Sequence, residues 1–346
     1  MKKFFPAILP VVSLITVCLF GCSSTASQQT DVSSAAPPSQ TSVESESKTA
    51  ETADFPVKYL DFIIGFSAGT GADTNGRLLC SQAEGFLGQS IAVTNKDGAG
   101  GALAYSYAAS QKPDGYTLIW NSNSQSITHY SGNMENSIDD FKQVCRISLE
   151  DNVLAVASNS KWETFEEFAE DVKAHPGQYI CSNGGIGGYN HLAAAALQNA
   201  LGSELQHIPL GGGDQITAMQ SGEVDCGVAS LANYMKYVES GDVRILASLG
   251  AESPACDPSI PTAKSFGYDV VMSMYRGISV PKDTPDEIVA IISDAFRQAV
   301  ETPAYKEYAE KNNITISFMD SAEFTEYVKE DDAYIRQLMI DIGMVQ

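Results

Sequence analysis

Basic side chains are in short supply. Of 346 residues, 21 are Lys or Arg against 43 Asp or Glu, giving a formal net charge of −22. A surface this acidic does not neutralise a phosphate backbone, which argues against nucleic-acid binding. Any anion bound here must be held by local dipoles, not by the field of the whole molecule. Histidine is scarcer still. His129, His175, His191 and His207 show no metal-ligand spacing, so neither a metal site nor another cofactor is expected. After Cys22 the cysteines are Cys80, Cys145, Cys181, Cys226 and Cys256, scattered and without close pairs. That pattern fits neither a zinc site nor a disulfide framework, and points to buried thiols acting as small apolar groups. The odd number leaves at least one unpaired in a monomer, which is the expected state. Internal repeats are absent, which speaks against a scaffold array. Beyond residue 20 no apolar run is long enough to span a bilayer.

What is present begins at the N-terminus. Lys2 and Lys3 precede an apolar run from Phe4 to Phe20, interrupted by Pro6 and Pro10. A basic start and a short apolar stretch form an export signal, here residues 1–21. Leu19-Phe20-Gly21-Cys22 resembles the lipobox of bacterial lipoproteins, which implies that Cys22 is acylated and becomes the first mature residue. The alternative is a plain signal anchor. Loss of Lys2 and Lys3 would leave the mature chain more acidic by two charges. Residues 22–54 then read as lipid anchor and tether. They are rich in Ser, Thr, Ala, Gln, Pro and Glu and bury too little apolar surface to order themselves. As a flexible coil this tether spans roughly 30 Å on average.

The body, from about residue 55 to 346, is too long for one ordinary core and suits two lobes. Strand and helix patterns alternate along it. Lys58–Phe66 reads as a strand followed by a glycine-rich turn and a helix through Arg77, Leu78 and Leu79. Ser90–Thr94 and Tyr116–Trp120 read as further strands. Thr164 with Glu167 is a capping box, opening a helix whose apolar face is Phe165, Phe168, Ala169 and Val172. Thr284, Pro285 and Glu287 predict a second such start, followed by Ile288, Ile291, Ile292, Ala295 and Ala299 at helical spacing. This alternation predicts an α/β fold with sheets covered on both faces by helices. Ligands in such folds sit at the carboxyl ends of strands.

Four glycine-rich turns mark candidate sites: Gly65–Gly71, Gly98–Gly101, Asn183–Gly188 and Gly211–Asp214. Glycine permits close backbone approach, and a helix start offers unpaired N–H donors with a favourable dipole. Together they would cradle a carboxylate without lysine or arginine; the plainer reading is tight turns alone. Gly65-Phe66-Ser67-Ala68-Gly69 also fits the G-x-S-x-G elbow of serine hydrolases. It follows the first strand of the body, however, and leaves no room for the strands that precede such an elbow. Gly69, Gly71 and Gly76 lack dinucleotide-fingerprint spacing, and no acidic residue closes the second strand. His191, just after a glycine turn, reads equally as a ligand contact or a helix cap.

These residues carry a resemblance. The chain resembles the extracytoplasmic receptors of tripartite tricarboxylate transporters, the TctC-like or Bug family. Asn95-Lys-Asp-Gly-Ala-Gly-Gly101 is similar to that family's N-R-P-G-A-G-G, and Pro113-Asp-Gly-Tyr-Thr-Leu118 matches its P-D-G-Y-T-L. Phe66–Asp73 takes the place of its P-G-G-x-x-D turn. Gly184 to Leu192, Leu210–Gly213 with Ser221–Asp225, and Tyr275–Pro285 resemble further family segments in the same order. The resemblance covers nearly everything after residue 55. It implies a type II periplasmic-binding-protein fold, two lobes with mixed sheets flanked by helices and a hinge between them. The first lobe would hold 55–156 and 276–346, the second 157–275, with crossings near Val153–Ser158 and Tyr275–Val280. It implies a receptor, not an enzyme, that passes a small tricarboxylate, dicarboxylate or related acid to membrane subunits of the transporter. Carried over residue by residue, the contacts would be Ser67, Thr70, Gly71, Asp73, Asn121, Ser122 and Asn123. From the second lobe come Asn183, Gly185, Gly187, Tyr189, His191 and Asp214. Asp73 also has a plain role as a helix cap.

The chain departs from the family pattern at Ser67-Ala68-Gly69, at Asp97 and at Tyr275-Arg276. Arg276 is placed to pair bidentately with a second ligand carboxylate, or else to be a surface arginine near the hinge. The competing classes are a serine hydrolase acting through Ser67 and a surface lipoprotein that binds nothing.

Overall fold

The computed structural model describes residues 54–345. The signal segment, Cys22 and the tether lie outside them. In chain order, β1 (Leu60–Ile64) leads to α1 (Gly71–Leu87), β2 (Ile91–Asn95) to α2 (Ala102–Ala109), and β3 (Thr117–Asn121) to α3 (Ser124–Tyr130). After β4 (Phe141–Ala157) and α4 (Phe165–Ala174), strands and helices alternate again. They are β5 (Ile180–Ser182), α5 (Tyr189–Leu201), β6 (Gln206–Ile208), α6 (Gly212–Ser221), β7 (Cys226–Ser230), α7 (Leu231–Glu239) and β8 (Val243–Ser248). The chain ends with β9 (Ser273–Pro281), α8 (Asp286–Val300), α9 (Pro303–Lys311), β10 (Thr315–Met319) and α10 (Ser321–Asp341).

Both sheets are mixed, and β4 belongs to both. Up to Asp151 it pairs antiparallel with β9, and near Arg146–Leu149 with β10. From Asn152 it pairs instead with β7 and β8. The first lobe thus has the order β2-β1-β3-β9-β4 with β10 beside β4, and the second β4-β7-β5-β6 with β8 beside β4. β1 is parallel to β2 and β3, and β5 to β6 and β7, as strand–helix–strand crossovers require.

Each lobe has its own core. Phe62, Trp120, Ile278 and Phe296 centre the first; Phe165, Phe168, Leu192 and Val228 centre one face of the second. α10 serves both. Phe324 and Val328 pack on Tyr275, while Ile335, Leu338 and Met339 join the second-lobe core. Each such buried side chain contributes about 1.5–3 kcal/mol. Four of the five cysteines in the body are buried free thiols, and Cys256 is an exposed one. Among the described residues no helix is long and apolar enough to cross a membrane.

Local signals worked unevenly. Thr164 caps α4 by accepting the Glu167 N–H, but the Glu167 carboxylate takes the Glu163 N–H, so the box does not close on Thr164. The start at Thr284 is displaced. Its hydroxyl is buried and donates to the Pro281 carbonyl at 2.7 Å, so Pro285 becomes the residue flanking α8. A local turn contact three residues back outcompeted the cap.

Candidate ligand-binding cleft

Four strands end, and four helices begin, around a single cavity of about 780 Å³. Thr70, Gly71 and Ala72 at the start of α1 line it from the first lobe, with Ser122 and Ser124 at the start of α3. Gly187, Gly188 and Tyr189 at the start of α5 line it from the second, with Ser230 and Asn233 at α7. The first amides of a helix have no intrahelical acceptor. Thr70 caps α1 by accepting from Asp73 N–H, Ser122 Oγ accepts the Ser124 N–H at 3.3 Å at the start of α3, and α5 and α7 have no side-chain cap. Two helix dipoles from each lobe therefore bring partial positive charge to one space, without a free cation. The glycine turns behind them pack in pairs. A Cβ on Gly65 would lie 3.0 Å from the Gly101 Cα, and one on Gly211 would lie 3.0 Å from the Gly184 Cα. A larger depression of about 1140 Å³ lies between α8 and α10. It draws on the first lobe alone and holds none of the expected residues.

Of the residues expected from sequence, Thr70, Gly71, Ser122, Gly187, Tyr189 and Arg276 line the cavity. The others are spent on structure. Ser67 is exposed, with its hydroxyl donated to the Asp97 carboxylate, and no histidine among the described residues bonds to it. Asp73 accepts from Gly69 N–H at 2.9 Å, Arg77 Nε at 2.8 Å and Asn95 Nδ2 at 2.8 Å. Burial works to raise its pKa, and the bonds from Gly69, Asn95 and Arg77 outweigh that and hold it low. Asn121 donates to Gln143 and Ser279 inside the sheet. Asn123 donates to both oxygens of Asp331 at 2.8 Å and accepts the Tyr275 N–H, tying α3, α10 and β9 together. Asn183 meets His207 at 2.9 Å. His191 accepts the Gly187 N–H on Nδ1 at 3.0 Å and so fixes the turn that lines the cleft. Burial lowers the pKa of His191 and, with His191 beside it, takes His207 down to about 4, so both rings are neutral at pH 7. Gly185 and Asp214 are exposed outside the cavity.

Residues 76–344 match the model of the "Tripartite tricarboxylate transporter family receptor", TctC. The chain belongs to this family. A relative from Cupriavidus necator, a UPF0065 protein in the gbd 5' region, is 30% identical over 295 residues, 84% of this chain and 90% of that one. A TctC solute-binding protein from Polaromonas, solved without ligand, superposes with a TM-score of 0.78 at 26% identity, covering 83% of this chain and 100% of that one. MatC from Rhodopseudomonas palustris, solved with bound malate, superposes with a TM-score of 0.65 at 23% identity, covering 82% and 99%. A second R. palustris protein, solved with adipate, gives 0.68 at 20% identity, covering 84% and 99%. TctC proteins are extracytoplasmic solute receptors, and the two-lobed mixed α/β fold is theirs.

Within this TctC receptor the reasoning from sequence missed Ser230, Asn233, Thr128, Tyr308, Asn312 and Met344, all lining the cavity. Ser230 and Asn233 flank a strand-to-helix junction, and that position alone was the available signal, since no glycine marks it. Glu150 was missed as well. Its Oε1 accepts from Arg276 Nε at 2.8 Å and its Oε2 from Nη2 at 3.3 Å. The fork expected to face a second ligand carboxylate therefore faces Glu150. Burial works against the charge of Arg276, and Glu150 more than offsets it, so the guanidinium stays ionised.

Proposed function

We propose that this chain is a lipid-anchored receptor that captures a small organic carboxylate and delivers it to the membrane subunits of a tripartite tricarboxylate-type transporter. The observation that carries the reading is the convergence of four helix starts, two from each lobe, on one cavity with no unpaired cation. Malate and adipate in the fold neighbours support a carboxylate. Residues 55–156 with 276–346 act as one lobe and 157–275 as the other. The carboxylate sits against Thr70, Gly71 and Ser122 on one side and Gly187 and Tyr189 on the other. Asn183, His191 and Asp73 hold those turns in shape. Because donors come from both lobes, the full set exists only when the lobes approach, and ligand shifts the population toward closure. Cys22 is the anchor, and the receptor acts as a monomer without cofactor.

A thermal-shift screen of organic acids, followed by titration calorimetry and small-angle scattering, tests this. The expected result is stabilisation by a carboxylate, micromolar affinity of about −8 kcal/mol and a more compact particle. If no acid stabilises the protein, or if the binding acid leaves the scattering profile unchanged, the reading is wrong.

A further inference from the structure

Building on the carboxylate-receptor reading, we propose that this cleft selects ligands of net charge −1, with one carboxylate and an uncharged remainder, over di- and tricarboxylates. Glu150 and Arg276 are the two residues lining the cavity whose side chains carry charge, and they are bonded to each other. The cavity wall is thus neutral as a whole. The helix starts supply partial charge for one carboxylate.

A second carboxylate would have two places to go. It would displace Glu150 from Arg276, which leaves the Glu150 carboxylate unpaired in the cleft. Or it would take the remaining Arg276 Nη1, which has no protein partner, and stand beside the Glu150 carboxylate. Arg276 is 8% exposed and the Glu150 side chain 22%, so water screens both arrangements only in part. Glu150 holds the Nε–Nη2 edge of the guanidinium, so a carboxylate taking the remaining Nη1–Nη2 edge would stand next to the Glu150 carboxylate. The Nη1 hydrogens have no protein partner and suit a hydroxyl, a carbonyl or an amide oxygen. Phe66, Ile127, Met274 and Ile314 supply apolar wall, and Ile186 at the rim is 78% exposed. Such surfaces suit an uncharged hydrocarbon body.

The test is titration calorimetry of the purified protein at pH 7.5 with acids paired by shape: straight-chain monocarboxylates against α,ω-dicarboxylates of equal length, including hexanoate with adipate, and benzoate with terephthalate. The best-binding monocarboxylate should exceed its dicarboxylate partner by about tenfold. Glu150→Gln should narrow or invert that ratio, because it frees the Arg276 charge. A dicarboxylate that binds the unaltered protein as tightly as its monocarboxylate partner overturns the charge rule and leaves the carboxylate reading standing. If no member of any pair binds, the carboxylate reading falls and the charge rule with it. The comparison on the unaltered protein decides the matter even where Glu150→Gln fails to fold.

Discussion

Replacing Gly71 with valine separates binding from folding. Gly71 is the first residue of α1 and lines the cleft. A Cβ added there meets no heavy atom within 4 Å, and its φ lies outside the left-handed region. Valine therefore enters without clash or backbone strain, and its helix propensity is no worse than that of glycine. The thermal midpoint should stay the same or rise slightly. Binding should suffer, because the branched side chain covers the amides of Gly71 and Ala72. Each charge-assisted hydrogen bond contributes about 1.5–3 kcal/mol. Losing one therefore weakens affinity by at least about tenfold. The assay is titration of the best acid from the screen, with melting measured on the same samples. Lys96→Ala is the control. Lys96 stacks 3.8 Å above the ring of Tyr107, away from the cavity, and its removal should leave affinity unchanged. If Gly71→Val binds within about twofold of the unaltered protein, the amides at the start of α1 do not hold the ligand.

Gly187→Val should damage both properties: Gly187 has φ +77° and an added Cβ lies 2.7 Å from the Met344 methyl, so melting should fall along with an affinity loss of at least about tenfold. Asp331 gives a pH signature. Burial raises its carboxyl to about 7 against the pull of the Asn123 bonds, with Asp332 adding to the rise. Between roughly pH 4 and 7 the native state keeps a proton that the unfolded chain releases, so this group's stabilising contribution falls as pH rises through that window. Denaturation midpoints at pH 5 and pH 8 should show Asp331→Asn with a flatter pH dependence; identical slopes would refute the assignment. Leu338→Ala should cost about 2–5 kcal/mol in denaturant unfolding, since Leu338 is 3% exposed within the second-lobe core; a loss below about 1 kcal/mol would mean α10 does not secure that lobe. Cys22→Ser should move the protein from the membrane fraction into the soluble one, and intact mass of the unaltered protein should show the acyl groups.

The alternation of strands and helices was legible because each amphipathic segment is local. Thr164 and the Phe165–Val172 face are decided within ten residues of chain. The turns after β1 and β5 were legible because glycine is dictated by backbone approach. Thr70, Gly71, Gly187 and Tyr189 follow from that rule plus the position of helix starts. The amide side chains are engaged by partners that lie far along the chain. Asn123 is absorbed by Asp331, 208 residues on, and Asn121 by Ser279, 158 residues on. Nothing near them in sequence distinguishes a residue that waits for ligand from one already engaged. Glu150 escaped for the same reason, since its role exists only once β4 lies beside β9. The continuity of β4 through both sheets was equally invisible, because Phe141–Ala157 carries no break where its pairing partners change.

That shared strand behaves as a torsion rod. The two sheets share it while α10 packs against both cores, and sliding one sheet past the other would break the ladders on both sides of Asp151, whereas twist about the strand leaves them paired. Under rotation, displacement grows with distance from the axis. Glu150 and Arg276 sit on or beside the rod and travel least. The turns at Gly71 and Gly187, carried off the rod by β1 and β5, travel furthest. Closure, in the function proposed above, would therefore move the turns at Gly71 and Gly187 while leaving the Glu150–Arg276 pair nearly in place.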